Sequence, residues 1–242
     1  MKINSLLASI RYGNRIAALA AVLAVAIGGC DVTQPDEDPW RNVSAFSWPV
    51  DKVLRYRTDD LENGVQTFRD ITTKIAAANT EVNWDGTLFY EMRDPAIRFS
   101  RYFLPLKDTL LTRNAEFPSD LALVAPLEKG HSWICGTRTV STDTGEVVVP
   151  WRATILERYS YRKIGSDPGK VYRNVIEVEY KPEFAVDADG MQIWTRFYAE
   201  GEGLVQTIQS FVSRPVRPDD PPPTPKPIER TVLVKTEEAP GL

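Results

Sequence analysis

The sequence predicts a mainly β protein: an antiparallel meander forming a curved sheet, half-barrel or sandwich, with little helix. Three observations predict it. Turn signals recur at Glu62-Asn63-Gly64, Trp84-Asp85-Gly86, Asp143-Thr144-Gly145, Asp167-Pro168-Gly169 and Asp187-Ala188-Asp189-Gly190. Their Asn, Asp and Gly residues tolerate the positive φ angles of tight hairpins. The runs between them are rich in Val, Ile, Thr, Tyr and Trp. Apolar and polar residues alternate with a period of two over long stretches.

The elements follow in order. Lys52 to Arg57, Val65 to Ile75, Thr87 to Arg93 and Arg98 to Leu104 read as strands. Ile75 to Asn79 holds three alanines and reads as strand or loop, with a helix as the alternative. Helix is open at two further places. Asp108 to Asn114 has room for one or two turns, and Ser119 offers a cap for Asp120 to Val124, which Pro126 would end. Val147 to Lys163 is the clearest strand. Val147, Val149, Trp151, Ala153, Ile155, Tyr159 and Tyr161 share one face, interrupted by Glu157; Arg152, Thr154, Arg158, Ser160 and Arg162 share the other. Its 17 residues exceed the usual strand, which predicts a bulge near Pro150 or a strong bend. Val171 to Lys181, Met191 to Ala199 and Leu204 to Val212 complete the meander.

The chain has 242 residues, the size of one domain with tails. With 43% hydrophobic and 26% charged residues it is neither a disordered tail nor a polytopic membrane protein. A net charge of -4 argues against nucleic acid as a partner. One histidine (His131) and two cysteines (Cys30, Cys135) are too few for a common zinc site, so no metal and no cofactor is expected.

The first 29 residues read as an export signal. Lys2, Arg11 and Arg15 are the only charged side chains there, and Ile16 to Ile27 is an apolar run too short to span a bilayer comfortably. Ile27-Gly28-Gly29-Cys30 resembles the bacterial lipobox, which implies cleavage before Cys30 and lipidation of its sulfur. Acyl chains on Cys30 would make the membrane a partner, since two or more chains anchor stably where one does not. This places the protein in the bacterial cell envelope facing the periplasm, with inner or outer membrane open. Asp31 resembles the inner-membrane retention signal of enteric bacteria. The mature chain carries 26 basic and 33 acidic residues, and Cys135 is left as its lone thiol, read as buried.

Residues 30–39 read as a flexible acidic tether and residues 40–213 as the β-rich body. Residues 214–227 form a linker with seven prolines, stiff and extended. Residues 228–242 read as a C-terminal tail that frays or docks weakly, with an extra strand as the alternative.

Phe197-Tyr198-Ala199-Glu200-Gly201-Glu202-Gly203-Leu204-Val205 resembles a hairpin shared by a family of uncharacterised bacterial lipoproteins and periplasmic proteins. Ala125-Pro126-Leu127-Glu128-Lys129-Gly130-His131-Ser132-Trp133 is similar to that family's Pro-Leu-x-x-Gly-x-x-Trp segment. The resemblance covers about Leu121 to Phe211. It departs where Trp151 and Arg152 follow Val149-Pro150, in place of the family's Val-Pro-Ala-Gly turn. It implies a β-rich envelope protein and no particular activity.

No residue set is assigned to catalysis. His131 and Ser132 are adjacent and would point to opposite faces of a strand. Asp187-Ala188-Asp189-Gly190 opens like a calcium loop, but Tyr198 stands where the twelfth-position glutamate belongs. Gly201 and Gly203 read as a turn, because strand rather than helix follows. Glu157, Glu177 and Glu179 are expected to pair with Arg152, Arg158 and Arg173 across strands. Trp151, Tyr159 and Trp194 are the candidate apolar ligand or core surface. Together these readings imply a lipid-anchored, non-enzymatic structural or interaction module with an envelope protein partner. The alternative is a carrier whose curved sheet holds a lipid or another apolar ligand.

Overall fold

The computed structural model describes residues 38–76, 89–95, 101–114, 120–142, 145–165, 169–184, 190–213, 221 and 223–239. The export signal, Cys30, nearly all of the tether, the turn at Asp85-Gly86 and the residues Asp187-Ala188-Asp189 lie outside them.

Twelve antiparallel strands form one nearly closed, barrel-like sheet. They are β1 (Lys52–Asp60), β2 (Gln66–Ile75), β3 (Tyr90–Arg93), β4 (Arg101–Pro105), β5 (Thr109–Asn114), β6 (Asp120–Val124), β7 (Ser132–Thr142), β8 (Gly145–Ile164), β9 (Lys170–Pro182), β10 (Gly190–Ala199), β11 (Gly203–Ser213) and β12 (Lys226–Glu238). The order is β6-β5-β4-β3-β2-β1-β12-β11-β10-β9-β8-β7. Each half is therefore a meander of sequence neighbours, and the β1–β12 ladder joins the halves. Strands β6 and β7 approach one another without a ladder between them. Side chains bridge to β6 instead. Trp133 Nε1 donates to the Leu121 carbonyl at 2.8 Å, and the Tyr180 hydroxyl donates to the Ala122 carbonyl. Buried polar groups left unpaired are costly, so these bonds satisfy an edge that closure would otherwise leave open.

Several expectations are corrected. Asp108 to Asn114 and Asp120 to Val124 hold strands β5 and β6, not helical turns. Leu110 of β5 lies opposite Leu123 of β6 and both are fully buried, so ladder and burial together override the local option of a turn. The C-terminal segment is no frayed tail. Strand β12 pairs with β1 on one side and β11 on the other, burying Val232 and Leu233. The body thus extends past Ser213 to the end of β12. The bulge expected near Pro150 lies on the partner strand: the β7–β8 register shifts between Ile134 and Gly136, opposite Arg152 and Trp151, and a second shift lies between Ile155 and Glu157 against β9. Pro150 stays in register opposite Thr137, one residue before β9 pairing begins at Trp151, where a missing N–H breaks no second ladder.

In the long β8–β9 hairpin Asn174 takes a φ of 43°, between the pairs Tyr159–Val175 and Tyr161–Arg173. Asparagine tolerates that region. Beyond it the hairpin reaches β12: the Tyr172 hydroxyl donates to the Leu233 carbonyl at 3.1 Å, and Gly165 lies alongside Val232.

Two short 3₁₀ turns, Pro39–Arg41 and Val43–Phe46, cap one end of the barrel. Asp38 and Asn42 cap them through side-chain oxygens. The Val43 amide donates to the Lys107 carbonyl in the β4–β5 turn, and the Gly201 amide in the β10–β11 turn donates to the Ala45 carbonyl, each at 2.8 Å. Val43 and Phe46 are fully buried. Trp48 then joins the two halves of the interior. Its ring meets Phe103 of β4 at 5.3 Å and Tyr198 of β10 at 6.4 Å, and its Nε1 donates to the Tyr56 hydroxyl of β1 at 3.3 Å.

Candidate functional site

The aromatic surface singled out in the sequence divides in two. Cross-strand register sets Trp133, Ala153, Tyr180 and Trp194 in one row over β7 to β10. Trp151 precedes Ala153 by two residues on the same face of β8. It reaches diagonally across β9 to stack on Trp194, with ring centroids 4.7 Å apart and planes at 19°. Arg196 lies over the rings of Tyr180 and Trp194, at 4.7 and 5.4 Å. The Cys135 sulfur lies 3.3 Å from the Trp151 carbonyl, and its thiol is buried as expected.

Tyr159 is not part of this group. It lies eight residues along β8, roughly 26 Å at strand rise. Its hydroxyl donates to Glu177 Oε2 at 2.6 Å, and Arg162 joins the same oxygen at 2.9 Å while covering the rings of Tyr159 and Phe197. Burial and the neighbouring carboxylate push the Tyr159 phenol up.

The space left at the tryptophan pair is small. The crevice bounded by Leu121, Cys135, Arg138, Trp151, Trp194 and Arg196 has a volume of about 10 Å³, room for one water at most. A larger depression of about 280 Å³ is a shallow surface hollow beside Arg55, Phe68 and Asp70. There Arg55 and Asp70 form a two-pronged pair with both bonds at 2.7 Å. The guanidinium holds the Asp70 carboxyl below its ordinary range.

The other chemistry-bearing residues are dispersed. His131 stacks on Trp133 at 5.6 Å, whereas Ser132 Oγ accepts from Arg152 at 3.4 Å; the two share no contact that would make a nucleophile and base. The expected arginine–glutamate pairs also differ. The bulge at Leu156 places Glu157 opposite Glu177, so Glu157 turns to Lys129 at 2.5 Å. That contact and the Arg158 amide hold its carboxyl down. Glu179 meets Lys181 at 3.0 Å, Arg152 pairs with Glu183, Arg158 covers the Trp40 ring at 5.0 Å, and Arg173 covers Tyr161 at 6.0 Å. Among the described residues no three His, Cys, Asp or Glu side chains converge as a metal site.

The glycine turn has a role the sequence reading did not reach. Gly201 and Gly203 adopt φ of 71° and 73°. A Cβ on Gly203 would lie 2.8 Å from the Trp48 Cα and 2.9 Å from its ring. The second glycine is thus a seat for Trp48, a contact 155 residues away that turn chemistry alone does not signal.

Comparison of the chain with family models, curated proteins and solved structures gave no match.

Proposed function

We propose that the protein is a lipid-anchored cell-envelope protein that works without catalysis, as a structural or interaction module. Anchoring rests on the lipobox-like Ile27-Gly28-Gly29-Cys30 and its export signal. The observation that carries the interaction reading is the hairpin tip of β7 and β8. Residues Thr137–Thr142 and Gly145–Pro150 pair with each other and extend past the last β9 residue, Pro182, which lies opposite Trp151. Val148 is 59% exposed there. A two-stranded arm that projects beyond its sheet offers backbone edges to an extended partner segment.

Aromatic packing weighs against the carrier alternative. Trp151 and Trp194 cover each other, and Trp48, Phe46 and Tyr198 occupy the interior that a ligand would need.

The test uses the exported chain from Asp38 to its end, without Cys30, analysed by native mass spectrometry after envelope extraction. A photo-crosslinking residue at Val148 is read in parallel in cells with the lipidated form. A specific protein adduct at Val148 with no co-purified lipid is expected. Stoichiometric lipid and no adduct would replace this reading with the carrier.

A further inference from the structure

We infer that the barrel end capped by the 3₁₀ turns rests on the surface of a phospholipid bilayer, and that the tip of the β7–β8 arm points away from it. The inference deepens the anchored reading and rests on it.

Chain length carries the first step. Asp38 follows Cys30 by only eight positions along the chain. Fully extended they span at most about 28 Å. The acylated residue must therefore stay within that reach of wherever Asp38 lies.

Strand direction carries the second step. Trp40, two residues past Asp38, is covered by Arg158, whose Nη1 donates to the Leu127 carbonyl in the β6–β7 connection at 3.0 Å. Val43 bonds to the β4–β5 turn and Ala45 to the β10–β11 turn. All three connections lie at the same end of the antiparallel sheet, because each follows an even-numbered strand. The β7–β8 connection follows an odd-numbered strand and so lies at the opposite end. From Gly145 to Arg158, which covers Trp40, β8 rises roughly 43 Å at strand rise. With the strands set upright over the bilayer, the arm is held away from it while Asp38 stays near it.

At the capped end Leu106 in the β4–β5 turn is 41% exposed. The charges around it are mixed: exposed Lys107 is followed by exposed Asp108, and Glu128 and Glu200 are exposed in the β6–β7 and β10–β11 connections. Contact is therefore assigned to Leu106 as an apolar side chain at headgroup level, not to attraction between cations and anionic headgroups.

The experiment uses the full acylated protein in vesicles of phosphatidylethanolamine and phosphatidylglycerol, on a Cys135→Ser background. Single cysteines at Leu106, Lys107 and Val148 carry a fluorophore, and headgroup-labelled lipids quench it. Quenching at Leu106→Cys and Lys107→Cys severalfold stronger than at Val148→Cys is expected. Equal quenching at all three, or stronger quenching at Val148→Cys, would overturn the orientation while leaving the anchor intact. An intact mass without acyl groups would overturn the anchor, and the orientation with it.

Discussion

At the residue scale, Gly203 and Trp48 hold each other in place. A methyl group at Gly203 meets the Trp48 backbone as well as its ring, at a positive φ. Gly201 has the same backbone conformation but no neighbour within 4 Å. Chemical denaturation of the two alanine variants separates strain from contact. Gly201→Ala should cost about 1 kcal/mol, the ordinary left-handed penalty, and Gly203→Ala clearly more. The stacked pair is testable in the same way. A double-mutant cycle on Trp151→Ala and Trp194→Ala should return a coupling of about 0.5–1.5 kcal/mol beyond area burial. The buried phenols set an alkaline limit. Burial pushes Tyr56, Tyr172 and Tyr180 well above the ordinary value of 10.0. Their neutral forms are favoured in the folded state, so that stability is fully present below pH 10.0 and is lost as pH rises toward the folded values. Each should remove about 1.4 kcal/mol per pH unit above that point. Denaturation measured against pH should show this slope, and Tyr180→Phe should reduce it by one tyrosine's share.

At the element scale, the strands most legible in the sequence are the long ones rich in β-branched and aromatic residues. Strands β8 and β9 alternate over most of their length, and each of β8 to β11 is found within a few residues of its expected bounds. The short strands β5 and β6 are different. Six and five residues give too few periods to separate strand from turn, and their identity comes from Leu110 facing Leu123. Strand β12 begins inside the segment with seven prolines in fourteen residues, a composition that signals a linker, and takes in its last two residues, Lys226 and Pro227. What makes it structural is the gap between β1 and β11 that it fills. Truncation after Ser213 should therefore abolish cooperative unfolding and near-ultraviolet dichroism. Removal of residues 1–37 should leave both intact.

At the scale of the whole molecule, the proposed anchor and the fold should be separable. Cys30→Ser should release the protein from the membrane fraction while its melting temperature stays within a degree or two, because Cys30 precedes the folded unit that begins at Asp38. Fractionation and calorimetry of the exported chain check both halves of that statement. A shift of many degrees would mean that the anchor region packs on the barrel.

By itself the sequence determined the strand class and the strong meander, through its period-two alternation. It also carries the lipobox-like Ile27-Gly28-Gly29-Cys30 on which the proposed anchor rests. Local patterns suffice for these, since alternation and turn residues act over two to four positions. Only the tertiary structure decided which aromatic residues meet. Trp151 reaches Trp194 across β9, while Tyr159 on the same strand joins Glu177, because register and the bulge at Leu156 set those contacts. Near-closure of the sheet was likewise a matter of long-range pairing. The ladder that joins Lys52 to Glu238 links residues 186 positions apart, and the side chains that bridge to β6 arrive from β7 and β9. Burial of shared apolar surface, summed over the whole chain, selects such contacts, and no local window contains it.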